Sequence, residues 1–168
     1  YMPLHYEDCG GFCQPFGDGP MYRPDTPAED LFLQLISCAQ HSLYITTPYL
    51  CLDDVIFKAL CLAGDGGVDV HLFMPAVPDH YFTYLAGETY LGELMRHGVH
   101  VYKYTPGFLH AKSIVADREA AMVGSVNMDY RSFQLHYECG VFLCGVPAVE
   151  FLWQDMEEIR AQSEEWTM

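Results

Sequence analysis

A chain of 168 residues, 51% of them apolar, is long enough to bury one domain's core and too apolar for disorder. Eight Lys and Arg against 23 Asp and Glu give a formal charge of −15, which argues against a nucleic-acid face, because phosphate contacts dominate that affinity. The same balance disfavours electrostatic docking on anionic lipid, and no apolar run approaches the roughly 20 residues of a membrane-spanning helix.

The sequence opens Tyr1-Met2-Pro3 with neither a basic segment nor an apolar signal core, so no targeting peptide is expected. It stops abruptly at Trp166-Thr167-Met168, and both ends read as cuts in a longer protein. Seven cysteines (Cys9, Cys13, Cys38, Cys51, Cys61, Cys139, Cys144) are odd in number and irregular in spacing, mostly inside apolar runs. They read as reduced core cysteines in a cytosolic setting. Cys9 and Cys13 with His5 lack a second ligand pair at a zinc spacing, so no metal is expected there.

Gly, Pro and Asp crowd residues 1–25, where Phe12 to Phe16 is expected as a short edge strand before the Gly17-Asp18-Gly19-Pro20 turn. Thr26 and Glu29 have capping-box spacing, and Leu31, Leu33, Ile36 and Cys38 then carry a helix to about Gln40. Leu43 to Thr47 reads as a buried strand that stops at Pro48. Asp53 or Asp54 caps the next helix, with Val55, Ile56, Ala59, Leu60 and Leu62 at helical spacing before Gly64-Asp65-Gly66-Gly67. A strand over Val68 to Met74, a helix over about His80 to His97 and a strand over Val99 to Tyr104 follow. Further strands are expected at Ala121 to Val123 and Tyr137 to Cys144, and a final amphipathic helix at Ala148 to Ser163. Helices alternate with strands early and strands crowd the second half. The fold class is therefore α/β, a mixed β-sheet flanked by helices, as one domain over 1–168.

The chemistry gathers in Phe108-Leu109-His110-Ala111-Lys112-Ser113-Ile114-Val115-Ala116-Asp117. Alternation along a strand puts His110, Lys112, Ile114 and Ala116 on one face and Asp117 on the other. An imidazole beside an ammonium suits a phosphate ester. Histidine titrates near neutrality, at about 6.5, and can serve as nucleophile, acid or base. Lys112 supplies a point charge for phosphate, and Ser125 and Asn127 supply hydrogen-bond donors. Glu138 can hold the Nδ1 side of a ring and fix its tautomer. Asp117 suits a supporting role through backbone or arginine contacts. Arg131 and Asp129 either form a supporting ion pair or touch substrate. No carboxylate cluster suggests Mg²⁺ and no P-loop occurs, so metal-independent chemistry without a cofactor is expected.

Written as a pattern, His110, Lys112 and Asp117 form H-x-K-x4-D, followed by Gly124-Ser125-Val126-Asn127 and Asn127-Met128-Asp129-Tyr130-Arg131-Ser132-Phe133. This resembles the phospholipase D superfamily, in which an asparagine and a glutamate follow the histidine by 17 and 28 positions, as Asn127 and Glu138 do here. Thr47-Pro48-Tyr49, Gly67-Val68-Asp69-Val70, Pro75, Asp79 and Gln14 to Pro20 look like the second half of the bacterial cardiolipin synthase family. His136 departs from that family, which commonly has asparagine there. The resemblance implies a catalytic set of His110, Lys112, Asp117 and Glu138, with phosphate held by Lys112, Ser125 and Asn127, and Tyr49 and Arg131 lining the cleft.

It also implies two such motifs facing each other, one histidine attacking phosphorus to give a phosphohistidine and the other handling protons. This chain has one motif, and His110 is expected as the general acid/base. The implied function is phosphatidyl transfer between two phosphatidylglycerol molecules, giving cardiolipin and glycerol. The implied partners are that phospholipid and either the amino-terminal half of the same protein or a second copy. The implied place is a bacterial cell membrane, reached through segments outside this chain. Two rivals stand beside it: a hydrolase or nuclease that uses water as a homodimer, and an inert half-domain. The aromatics Tyr81, Phe82, Tyr84 and Tyr90 either pack in the core or face lipid.

Overall fold

In the computed structural model, which describes residues 10–22, 25–77, 79 and 81–167, the side chains of 22 and 81–86 excepted, strand and helix alternate through the first half. β1 (Phe12–Asp18) leads through a 3-10 turn (Pro20–Tyr22) to α1 (Pro27–Cys38), β2 (Ser42–Thr46) and a two-residue β3 (Leu50–Cys51). Then come α2 (Asp54–Asp65), β4 (Asp69–Pro75), α3 (Tyr81–Arg96) and β5 (Val99–Tyr104). The second half holds β6 (Ser113–Ala116), β7 (Ala120–Gly124), β8 (Met128–Asp129), a short α4 (Tyr130–Gln134), β9 (Glu138–Cys144), α5 (Pro147–Ala161) and β10 (Ser163–Trp166).

Eight strands form one sheet in the order β1-β9-β7-β6-β2-β4-β5-β10. β2, β4 and β5 run parallel, and α2 and α3 are the crossovers that parallel pairing requires. β6, β7, β9 and β1 are antiparallel neighbours, joined to the parallel half where β6 pairs antiparallel with β2. The expected mixed sheet flanked by helices is what the chain builds.

Period-two alternation sorts the core. Leu43 and Ile45 of β2, Val70, Leu72 and Met74 of β4, and Ile114 of β6 pack beneath Phe32, Ile36, Ile56, Leu60, Leu91 and Leu94 of α1, α2 and α3. Tyr44, Phe73, Tyr102, Val115 and Leu143 point the other way, against Val149, Met156 and Ile159 of α5. Strands with helices on both faces are buried on both, and β2 and β4 are buried almost end to end, His71 of β4 included.

Three expectations change. Thr26 makes no side-chain bond at the start of α1. The cap is instead the buried Asp18 carboxylate at the end of β1, which accepts from Gly19 N–H at 2.6 Å and Ala28 N–H at 2.9 Å. Glu29 of the expected capping box is drawn to Gln134 Nε2 at 2.6 Å. Asp53, by contrast, caps α2 as its position suggests, accepting from Val55 and Ile56 N–H at 2.8 Å each.

The cysteines are mostly not core residues. Cys13, Cys38 and Cys139 are exposed, Cys51 and Cys144 half-buried, and Cys61 buried. Cys13, Cys139 and Cys144 lie on β1 and β9, the outermost pair of strands at one end of the sheet, and Cys38 ends α1, so apolar neighbours in sequence do not translate into burial. Cys9 and His5 lie outside the described residues. The final helix stops at Ala161 because the chain turns into β10, which pairs antiparallel with β5. Its Trp166 ring lies 2.9 Å under the Lys103 ammonium and its Glu165 reaches His100 Nδ1 at 2.8 Å, and a four-residue edge strand held this way leaves little periodic signal. The side chains of Tyr81, Phe82 and Tyr84 lie outside the described part, and Tyr90 packs against the core beside Phe57.

Candidate active site

Four strand ends converge at one edge of the sheet. β2 ends at Thr46, opposite Ser113 at the start of β6. β7 ends at Gly124, opposite Gly140 near the start of β9. The segments just beyond those ends carry Tyr49, His110, Lys112, Ser125 and Asn127, and Glu138 is the first residue of β9. Ligands commonly bind outside strand ends, where loops can present side chains without disturbing the ladder.

His110 and Lys112 do not lie on the strand as the alternation expects. Pairing with β2 and β7 begins only at Ser113, so 108–112 runs free of the ladder, apart from Gly124 N–H reaching the Lys112 carbonyl at 3.2 Å. That freedom lets the pair separate. Lys112 is only 9% exposed, and its Nζ donates back to the His110 carbonyl at 2.7 Å. The His110 side chain stands exposed, with its ring 5.4 Å from that of Phe108 and 6.5 Å from that of Tyr49, centroid to centroid. Burial pulls the Lys112 ammonium below its ordinary pKa, while Glu138, Asp129 and Asp79 hold its proton on.

Glu138 is nearly buried, its side chain 6% exposed. One oxygen accepts a short bond from the Ser125 hydroxyl, and the other lies 3.6 Å from His136 Nδ1. The ring nearest this carboxylate is therefore that of His136, and among the described residues Glu138 makes no ion pair with His110. Gly124 makes the approach possible. A Cβ there would meet the Cys139 carbonyl at 2.3 Å, and the close crossing lets Ser125 N–H reach that carbonyl at 2.9 Å. Asn127 spends one amide N–H on Ser132 Oγ at 3.1 Å, while its Oδ1 is buried without a partner.

Arg131 and Asp129 do not pair with each other. Asp129 caps α4 through Ser132 N–H at 2.8 Å. The Arg131 guanidinium reaches His136 Nε2 at 3.2 Å instead. Asp117 is not part of the gathering. It sits at the far end of β6, where its carboxylate accepts from the N–H groups of Gln40, His41 and Ser42 at 2.8 Å each. Burial raises its pKa, but those three donors outweigh it and hold the carboxyl below its ordinary range.

Sequence reasoning gave Asp79 no role and took Thr47 only as part of a flank. The signal was present in Thr47-Pro48-Tyr49, but what Thr47 ties together emerges only in three dimensions. An apolar groove of about 900 Å³ between α1 and α2 shares none of these residues. Among the described residues no three His, Cys, Asp or Glu side chains group as a metal site would need, and no helix is long and apolar enough to cross a membrane.

Residues 32–160 match the family model described as "Cardiolipin synthase, PLD-like domain". Cardiolipin synthase A of Pseudomonas aeruginosa is 42% identical over 137 residues, which is 82% of this chain and 28% of that protein. An uncharacterized protein of Streptococcus mutans is 35% identical over 165 residues, 97% of this chain and 36% of its own length. The chain thus spans roughly a third of these relatives. Among solved structures, the phospholipase D family member Nuc from Salmonella typhimurium superposes with a TM-score of 0.78 at 21% identity, covering 94% of this chain and 99% of that one. Phosphatidylserine synthase of Haemophilus influenzae gives 0.72 at 17% identity, covering 92% and 40%. At such identities the likeness is one of fold.

Proposed function

This chain belongs to the cardiolipin synthase, phospholipase D-like domain family, and on that premise we propose that it is one catalytic half of a phosphatidyltransferase. The whole enzyme joins two phosphatidylglycerol molecules into cardiolipin and releases glycerol, at a bacterial membrane. The observation that carries this reading is an exposed imidazole, His110, two residues from a buried ammonium, Lys112, at the open end of the sheet.

In this mechanism the nucleophilic histidine belongs to the other, amino-terminal half-domain, and His110 is the proton-transfer group. It protonates the glycerol oxygen as the P–O bond breaks, then takes a proton from the incoming alcohol. Lys112 meets the phosphoryl charge. Asn127 turns an amide N–H to a phosphoryl oxygen, and the Ser125 hydroxyl swings from Glu138 to another. Glu138 balances the Lys112 charge, and Arg131 lines the cleft through His136.

Two features support a facing partner. Lys112 answers to three carboxylates, Glu138, Asp129 and Asp79, so this half alone is short of positive charge for a phosphodiester. Phe108, Tyr130 and Tyr137 are exposed, each one or two residues from a proposed site residue, as an apolar rim awaiting cover would be. A second reading, a hydrolase made of two copies with water as acceptor, draws on the Salmonella chain being covered to 99%. There a chain of this size stands by itself.

The test is the full-length protein with phosphatidylglycerol, following cardiolipin, glycerol and phosphatidic acid, beside His110→Ala. The expected result is cardiolipin from the wild type and a loss of at least a thousandfold in the variant, on the scale that removing an acid/base group costs. Unchanged transfer in the variant would refute the role of His110. Phosphatidic acid as the sole product would favour the hydrolase.

A further inference from the structure

Tyr49 is held more firmly than a loop residue needs to be. The buried Thr47 hydroxyl donates to the Tyr49 carbonyl at 2.7 Å and accepts from Met128 N–H at 3.1 Å. The next two residues, Leu50 and Cys51, pair with Met128 and Asp129. So anchored, the Tyr49 ring stands edge-on to the His110 imidazole, at an interplanar angle of 81°. Its hydroxyl donates to Asp79 Oδ2 at 2.6 Å. Burial first, and the bond to Asp79 second, push the phenol up to about 12, so it stays a protonated donor. The Asp79 charge also acts on Lys112. One phenol–carboxylate pair therefore touches the proposed acid/base group and is felt at the proposed phosphate ligand.

A carboxylate at that place weakens the binding of an anionic phosphodiester. The cost is offset where the same carboxylate recognises something else in the reaction, and what it can take is a hydrogen-bond donor. Water and a simple alcohol use their hydroxyl for attack. A vicinal diol has a second one to give. We infer that, on the transfer reading above, Tyr49 and Asp79 form the acceptor subsite and select a polyol, Asp79 accepting from the hydroxyl next to the one that attacks phosphorus. The attacking oxygen forms the new P–O bond as the P–N bond to the phosphohistidine breaks, and its proton passes to His110. The neighbouring hydroxyl keeps its proton and donates it to Asp79. Tyr49 holds that carboxylate in position and acts through it.

The experiment uses the full-length protein on phosphatidylglycerol vesicles with 1,2-propanediol, 1-propanol or ethanolamine added as acceptors, comparing wild type, Asp79→Asn and Tyr49→Phe. The wild type should use the diol about tenfold better than the mono-alcohol, the worth of roughly one charge-assisted hydrogen bond. Both variants should cut that preference to about twofold or less, whatever happens to total turnover. Tyr49→Phe keeps the ring against His110, so mere bracing would lower all products in parallel, and an unchanged ratio overturns the inference while leaving the transferase reading standing. A wild type that prefers ethanolamine overturns the polyol class. A wild type that makes neither cardiolipin nor phosphatidic acid overturns the functional reading, and this one with it.

Discussion

Asp117 and Lys112 stand five positions apart in one motif and live in different chemistry. Lys112 lies among carboxylates at the open end of the sheet, whereas Asp117 closes the β6–β7 turn with φ at +53° and gathers three backbone N–H groups. Asp117→Asn should therefore cost stability, roughly 1–2 kcal/mol at pH 7 for the lost charge on partly exposed bonds. Folding lowers this carboxyl below its ordinary 3.8, so the ionised form belongs to the folded state. The gap between wild type and variant is full above that ordinary value and closes as pH falls through the folded one. Urea midpoints between pH 7 and pH 2 check it, and a gap that persists at the acid end would contradict the account. Strand alternation parted Asp117 from Lys112 by face, whereas the structure parts them by length, Lys112 before β6 and Asp117 after it. Alternation could not tell that the carboxylate would find Gln40, His41 and Ser42, which are about 75 residues away (117 − 42 = 75).

At the scale of elements, α1 begins where β1 ends. The cap comes from Asp18, 3% exposed, rather than from the adjacent Thr26. Asp18→Ala should lower stability by about 2 kcal/mol, since a buried cap leaves orphan donors behind. Thr26→Ala should change it by less than about 0.5 kcal/mol. Denaturant midpoints of the two variants decide the matter, and the reverse order would restore the capping box. Helix and strand existence was legible in period, because α1, α2 and α5 each bury one stripe and β2 and β4 bury both faces. α4 and β10 were not, because a five-residue helix and a four-residue edge strand are fixed by neighbours: Asp129 caps the one and β5 pairs with the other.

Across the whole molecule the imbalance is electrostatic. A chain of −15 presents a site whose one buried lysine already answers to three carboxylates, and an anionic phosphodiester needs more positive charge than that. The isolated 168-residue chain should make no detectable product from phosphatidylglycerol at concentrations where sedimentation finds a monomer. The full-length protein should be active under the same conditions. Activity of the isolated chain rising with the square of its concentration would instead point to two copies completing one site, with water or alcohol as acceptor.

The sequence by itself determined the family and the mixed α/β sheet, and it named most of the residues that gather at the open end of the sheet, though it counted Asp117 among them and gave Asp79 no role. Hydrophobic period and motif spacing are local quantities, and 17 and 28 positions can be counted without coordinates. Only the tertiary structure decided how those residues stand toward one another. Lys112 leaves the ladder and folds back on His110, Glu138 turns to Ser125 and His136, Asp129 caps a helix rather than meeting Arg131, and Tyr49 finds Asp79 thirty positions on. Each of these is a competition among partners at similar distances, won by burial and by the direction in which a strand happens to end. No spacing along the chain records who wins it.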